Sequence, residues 1–315
     1  MKPQTLPQIS IVISVFNEEQ NIKELYSSLK EILNKFSYEI IFVNDGSTDG
    51  SEDEIESIVR KNPLVSGIMF SRNYGHEAAM TAGISFAKGE SIICMDADFQ
   101  HPPSYLPEMI KASKEGAQIV IMQRIHSSEA SLLRKFENAL FYRLLNFSGR
   151  NTIHHNSSDF FLISRRVADH LVKDYGEVSR FTRALIQTLG FRQKLISFTA
   201  PNRRFGKTKY SHFSLFNLSS EALIAFSHVP LRLSVVIGLI VGFGSLLVGI
   251  FSIIMKYLGL TIPGYTTTVV LISFLFSVQF VLFGILAEYI GVLVSEVKKR
   301  PLFIVREILT HEKKR

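Results

Sequence analysis

Two almost uncharged runs, Leu233–Met255 and Thr268–Ala287, constrain this chain more than any other feature. Each is about as long as the roughly 20 residues a helix needs to cross the hydrocarbon core of a bilayer. The 315 residues are also enough for about two domains. The expected layout is a globular domain over 1–212, then an amphipathic juxtamembrane helix over 213–230 with Leu215, Leu218, Leu223, Ile224 and Phe226 on its apolar face. Two transmembrane helices (about 233–255 and 268–290) follow within 231–297, and a basic tail occupies 298–315.

Charge fixes the expected orientation. Arg203, Arg204, Lys207, Lys209 and Arg232 precede the first apolar run, and Lys298, Lys299 and Arg300 follow the second, whereas the connecting loop carries only Lys256. By the positive-inside rule both ends face the cytoplasm, which makes this a multi-pass protein of the cell inner (plasma) membrane. Met1–Ile9 is polar and proline-containing, so no signal peptide is expected. The net charge of +7 is concentrated beside the apolar runs, where anionic lipid headgroups account for it, and nucleic acid is not an expected partner. The single Cys94 excludes an intrachain disulfide and reads as core packing.

The N-terminal two thirds alternates short apolar runs with turn-forming clusters. Ile9–Val15, Tyr38–Val43, Val65–Phe70 and Ser91–Met95 read as strands, and Ala117–Met122, Asp159–Ile163 and Arg192–Thr199 as further ones. Helices are expected between them, the first capped by Asn21, with others at Gly75–Ala87, Ser131–Phe147 and Arg180–Leu189. Pro201–Ser211 reads as a basic, aromatic loop. Strand-helix alternation argues for an α/β domain with a mainly parallel sheet. Ligands in such sheets bind beyond the carboxyl ends of the strands. The clusters Phe16–Glu19, Asn44–Asp49 and Asp96–Gln100 should therefore meet on one rim. In an extended segment Asp96 and Asp98 share a face. Convergent carboxylates suit a hard divalent cation, which commonly takes one or two protein carboxylates plus substrate phosphates.

Taken in order, Ile11–Glu18, Val43–Asp49 and Met95–Pro103 resemble the three signatures of family-2 glycosyltransferases with the GT-A (Rossmann-like) fold. Ser71–Glu77, Gly206–Tyr210, the two apolar runs, Glu288–Gly291 and Val297–Pro301 narrow the likeness to polyprenyl-phosphate glycosyltransferases, relatives of dolichyl-phosphate mannosyltransferase and of bacterial undecaprenyl-phosphate glucosyltransferases. The resemblance implies that Phe16, Asn17, Glu18, Asp45 and Asp96 bind a nucleotide-sugar, and that Asp98 and Gln100 contact Mg²⁺ or Mn²⁺ while Asp96 serves the ribose or a metal-bound water. Asn44 stands where many relatives have Asp. Arg124, Arg134 and Asn138 match acceptor-phosphate positions, and Arg203, Arg204, Lys207 and Lys209 form a loop over the diphosphates. Asp159 matches a carboxylate near the reacting sugar, which either orients a hydroxyl or holds a nearby arginine. Asp96, Asp98, Asp159 and Arg124 are the expected catalytic residues. His101 departs from the acid often found there; between a metal ligand and a solvent-facing side chain before Pro102, the latter is the expectation. His154 and His155 lack a third ligand at metal-site spacing and read as loop.

The implied reaction is inverting transfer of one sugar from a nucleotide-diphosphate sugar, UDP-glucose or another UDP-hexose, to polyprenyl (undecaprenyl) phosphate at the cytoplasmic leaflet, for cell-envelope glycan modification. A homo-oligomer held through the hairpins is a further expectation. A processive polysaccharide synthase is the enzymatic alternative, but its Gln-x-x-Arg-Trp segment is absent from a chain without tryptophan. An inactive membrane-tethered nucleotide-binding scaffold is the other, and the Asp96/Asp98 pair argues against it.

Overall fold

A computed structural model describes residues 6–125, 154, 156–175, 181–201, 229–258, 264–298, 300–311 and 313–314. The chain divides into two compact units, one formed by 1–142, 151–211 and 300–315, the other by 143–150 and 212–299.

The first unit is an α/β domain built on one sheet in the order β7-β5-β6-β4-β1-β2-β3-β8-β9. Its strands are β1 (Ile9–Val15), β2 (Tyr38–Asn44), β3 (Val65–Phe70), β4 (Ser91–Asp96), β5 (Ile119–Ile125), β6 (Ser157–Ser164), β7 (Gln193–Thr199), β8 (Val305–Thr310) and β9 (Lys313–Lys314). β3, β2, β1 and β4 are parallel neighbours, β6 runs against both β4 and β5, and β7 is parallel to β5. The sheet is thus mostly parallel, as expected of a GT-A-type domain.

Alternation along the strands serves two faces. Ile9, Ile11 and Ile13 of β1 join Leu25, Leu29 and Leu33 of α1 (Glu19–Leu33), Ile55 and Val59 of α2 (Ser51–Lys61) and Met109 of α4 (Leu106–Lys114) in one buried cluster. Burying each such aliphatic side chain contributes about 1.5–3 kcal/mol. Val12 points the other way, against Gly83 of α3 (His76–Phe86), where a Cβ would collide with the Val12 side chain. Only glycine lets α3 lie that close. α5 (Arg165–Lys173) and α6 (Thr182–Thr188) complete the domain.

Two local expectations change. Asn21 does not cap α1: the helix begins at Glu19, and buried Asn21 donates from Nδ2 to Glu18 Oε2 at 2.6 Å. Residues 305–310, to which the sequence reading gives no secondary structure, form β8, antiparallel to β3 with Leu309 buried. The long helix expected at Ser131–Phe147, the basic loop Pro201–Ser211 beyond its first residue, and the amphipathic helix over 213–230 except its last two residues lie outside the described residues.

The second unit contains α7 (Val229–Tyr257) and α8 (Tyr265–Lys298), which contact each other. Among the described residues one helical stretch, Phe274–Val294, is long and apolar enough to cross a membrane, with mean hydropathy 1.9.

Candidate active site

Parallel pairing brings three strand ends together. Val15 lies opposite Asn44, and Ser14 opposite Asp96. The loops beyond β1 and β2 are laced to one another: the Asn17 amide donates to Ser47 Oγ at 2.9 Å, the Thr48 amide to Asn17 Oδ1 at 2.7 Å, and the Glu18 amide to Ser51 Oγ at 2.9 Å. Asn17 adopts a positive φ of 54°, which asparagine tolerates better than most residues. Asn44 is buried and shapes the second loop by accepting the Ser47 amide at 3.0 Å. Gly46, at φ +67°, lets this loop touch the Arg72 backbone, where a Cβ would clash.

Beyond these ends opens a cleft of about 520 Å³. Phe16 and Glu18 line it from the first loop, Asp45 from the second, Asn73, Gly75 and His76 from the β3–α3 connection, Asp96, Asp98 and Gln100 from the end of β4, and Asp159 from β6. Asp45 is almost fully buried, and its two carboxylate oxygens accept the amides of Tyr74 at 2.6 Å and Gly75 at 2.9 Å. Burial pushes its pKa up, against the pull of those two hydrogen bonds.

Carboxylates crowd the floor, and His76 stands among them. Ser14 Oγ donates to Asp96 Oδ1 at 3.2 Å, which leaves His76 Nδ1, 2.8 Å from the same hydroxyl, as the donor to it. His76 Nε2 lies 3.9 Å from Asp159 Oδ2. Burial pushes the imidazole pKa down, but Asp96, Asp159 and Glu77 outweigh it and hold the ring above the usual histidine value. Asp159 also accepts from Arg183 Nη1 at 3.2 Å. Its burial acts to raise the carboxyl, yet Arg183 first and His76 second keep it below the usual range. Glu77 is raised by burial and by the Asp159 charge, and its Oε2 receives the Thr182 amide at 3.0 Å.

The Asp96–Gln100 turn is tightly organised. Asp98 Oδ1 accepts the Gln100 amide at 3.0 Å, and Phe99 has a positive φ of 63°. Gln100 accepts Arg124 Nη2 on its amide oxygen at 3.2 Å. His101 is not a solvent-facing side chain. It is 2 % exposed, its Nδ1 accepts the Asp96 amide at 2.9 Å, and its Nε2 meets Ser158 Oγ at 2.8 Å. The ring stacks on Phe160 with centroids 5.1 Å apart. A side chain that bridges β4 to β6 has to be inside.

The cleft thus gathers Phe16, Glu18, Asp45, Asp96, Asp98, Gln100 and Asp159, with Arg124 attached through Gln100. Asn17 is not among its lining residues and organises the loop. Arg134, Asn138, Arg203, Arg204, Lys207 and Lys209 lie outside the described residues. Sequence reasoning missed Ser14, His76 and Arg183. His76 stands directly after Gly75 at the start of α3, a position that signals the cleft once β3 is recognised; Arg183 carries no local signal.

Residues 10–172 match the family described as glycosyl transferase family 2. The chain belongs to that family. This family-2 glycosyltransferase is 38% identical over 312 residues to the uncharacterized glycosyltransferase YkcC of Bacillus subtilis (strain 168), covering 98% of this chain and 96% of the relative. It is 34% identical over 304 residues to the prophage bactoprenol glucosyl transferase homolog of Escherichia coli (strain K12), covering 96% and 99%. Among solved structures, glucosyl-3-phosphoglycerate synthase from Mycobacterium tuberculosis in complex with Mn²⁺, UDP-glucose and phosphoglyceric acid is similar at a TM-score of 0.48 and 17% identity, over 70% of this chain and 78% of that one.

Proposed function

We propose that this glycosyltransferase transfers one hexose, from UDP-glucose or a related UDP-hexose, to polyprenyl phosphate at a membrane surface. The observation that carries the reading is the cleft at the strand ends, in which Asp96 and Asp98 sit beside the Gln100–Arg124 pair. The near full-length similarity to a relative named as a bactoprenol glucosyl transferase homolog supports the lipid acceptor.

The donor set fits a hard cation. Among the described residues no three His, Cys, Asp or Glu side chains stand close enough to hold a metal alone. Mg²⁺ or Mn²⁺ would therefore be held by Asp98, with Asp96 nearby, and completed by oxygens of the donor diphosphate. Such an ion stabilises the charge that develops on the departing diphosphate. Phe16, Glu18 and Asp45 then flank the nucleotide, and Gln100 keeps Arg124 at the acidic turn. The acceptor phosphate oxygen is already ionised, so its attack on the sugar C1 needs positioning more than a general base. Arg124 supplies a planar, permanently charged phosphate grip. The new C1–O bond forms on the face opposite the breaking bond, giving inversion and free nucleoside diphosphate. Arg134 and Asn138 are proposed to extend the acceptor grip, and Arg203, Arg204, Lys207 and Lys209 to cover the diphosphates.

α8 contains one span of membrane length. The 29 residues of α7 reach about 43 Å as a helix, enough for a second. We assign the pair to a hairpin with both termini cytoplasmic, through which copies of the chain associate.

The deciding experiment incubates the purified full chain in detergent with undecaprenyl phosphate and a panel of radiolabelled nucleotide-sugars. Lipid-linked sugar and nucleoside diphosphate should form in equal amounts, only with Mg²⁺ or Mn²⁺. No lipid-linked product from any donor would sink the reading, and full turnover in excess chelator would remove the metal from it.

A further inference from the structure

The segment that follows α8 in the chain packs against the donor side of the cleft. Phe303 stacks on Phe70, at the end of β3, with ring centroids 5.1 Å apart and planes 8° from parallel. Tyr74 meets Phe70 edge-on at 5.7 Å, so the three rings form one contiguous aromatic cluster. One residue further, the Ile304 carbonyl accepts the Ser71 amide at 3.0 Å. These contacts hold a short connection, Ser71–Gly75, whose Asn73 and Gly75 line the cleft. On its other side the connection is gripped by Asp45, through the Tyr74 and Gly75 amides, and lies against Gly46. The pairing of β3 with β8 shifts register between Met69 and Phe70, where the connection begins.

Ser71–Gly75 is therefore clamped between the β2 loop and the C-terminal segment. The first clamp is part of the proposed nucleotide site. The second comes from residues that no donor-binding motif of the sequence includes. Loops that build binding sites work best when their conformation is fixed before the ligand arrives, because the ordering cost is then already met.

We propose that Phe303 is a positioning residue for the donor: with the Ile304 carbonyl it fixes Ser71–Gly75 in the shape that completes the nucleotide-sugar cleft. The wall of the cleft thus rests on residues that lie C-terminal to α8 in the sequence. Donor binding depends on residues beyond the last span, although those residues touch no substrate. The inference rests on the donor reading given above for this cleft.

The test uses the full chain in detergent and two readouts. Hydrogen exchange reports on the amides of Ser71, Tyr74 and Gly75 without reference to any substrate; in Phe303→Ala they should exchange faster, while those of β1 and β4 are unchanged. Steady-state kinetics with UDP-glucose and undecaprenyl phosphate should show the donor KM rising about three- to tenfold, the range set by loss of one aromatic pair. kcat and the acceptor KM should stay at wild-type values. Phe303→Tyr should restore both readouts. Leu29→Ala, which opens the core under α1 far from the clamp, should lower the melting temperature and leave the donor KM unmoved. Unchanged exchange at Ser71–Gly75 overturns the proposal, as does faster exchange with an unchanged donor KM. Failure of the wild type to use any nucleotide-sugar sinks the donor reading instead, and the exchange data then still decide whether the clamp exists.

Discussion

The Nδ1 atom of His101 accepts the backbone N–H of Asp96 at 2.9 Å. That single bond fixes the ring as a neutral imidazole with its proton on Nε2, aimed at Ser158 Oγ 2.8 Å away. Burial holds the pKa of His101 below the usual histidine value, which keeps this tautomer in place. His101 therefore ties the end of β4 to β6. His101→Ala would leave the Asp96 amide and the Ser158 hydroxyl without their partner inside a cavity among Phe160 and Phe198. A loss of about 2–4 kcal/mol is expected in urea unfolding, together with reduced turnover. Wild-type stability and activity in that variant would refute the bracket.

His76 and His101 should give stability opposite slopes with pH. His101 has a depressed pKa, so below the ordinary value of 6.5 the unfolded chain takes up a proton that the folded chain refuses; stability falls as pH drops through that window. His76 has a raised pKa, so its contribution is complete below 6.5 and is lost as pH rises through its folded value. The stability advantage of the wild type over His101→Phe should shrink from pH 7 toward about pH 5, whereas its advantage over His76→Gln should shrink as pH climbs above about 7. Unfolding curves in urea across that range read both. A difference that does not vary with pH would mean that the ring in question does not titrate as its surroundings dictate.

The parallel half of the sheet was legible because β1 to β4 are runs of β-branched and apolar residues closed by turn-forming clusters, and parallel pairing then forces the clusters onto one rim. His101, Arg183 and β8 were not legible, for one shared reason. Each owes its place to a partner distant in sequence: Ser158 for His101, Asp159 for Arg183, and β3 for the strand Val305–Thr310. Local pattern specifies a strand far better than it specifies which strand it joins. Phe303 and Ile304 were hidden in the same way behind two apolar runs that dominate the C-terminal third.

Asp98→Asn should separate chemistry from folding. Asp98 is buried at the turn, and its Oδ1 accepts the Gln100 amide, a bond that an asparagine oxygen also accepts. The substitution removes the charge while keeping that acceptor. Turnover with UDP-glucose and Mn²⁺ should drop by roughly 10²–10³, while the melting temperature stays near that of the wild type. Unchanged turnover would take Asp98 out of the metal and diphosphate site.

Arg124→Ala should act on the acceptor. The guanidinium bonds to Gln100 at 3.2 Å, so it is held at the acidic turn without an acid of its own in that contact. Losing a charge-assisted phosphate contact costs about 1.5–3 kcal/mol, tenfold or more in the KM for undecaprenyl phosphate. The donor KM should change much less. A donor-affinity loss with acceptor kinetics intact would reverse the proposed roles.

Arg183 sets the charge state of Asp159, and the pH–rate profile can expose it. Asp159 sits among Glu77 and His76 in a site whose burial alone would favour the neutral acid; the Arg183 pair at 3.2 Å is the leading influence holding it ionised. Arg183→Ala removes the largest of the influences that lower the Asp159 pKa, so that pKa should rise. If ionised Asp159 is needed for turnover, the acid limb of kcat/KM against pH should move to higher pH in the variant. Arg183→Lys, which keeps a positive charge but not the planar fork, should move it by less. An acid limb that stays where the wild type has it in both variants would show that Asp159 does not govern that limb.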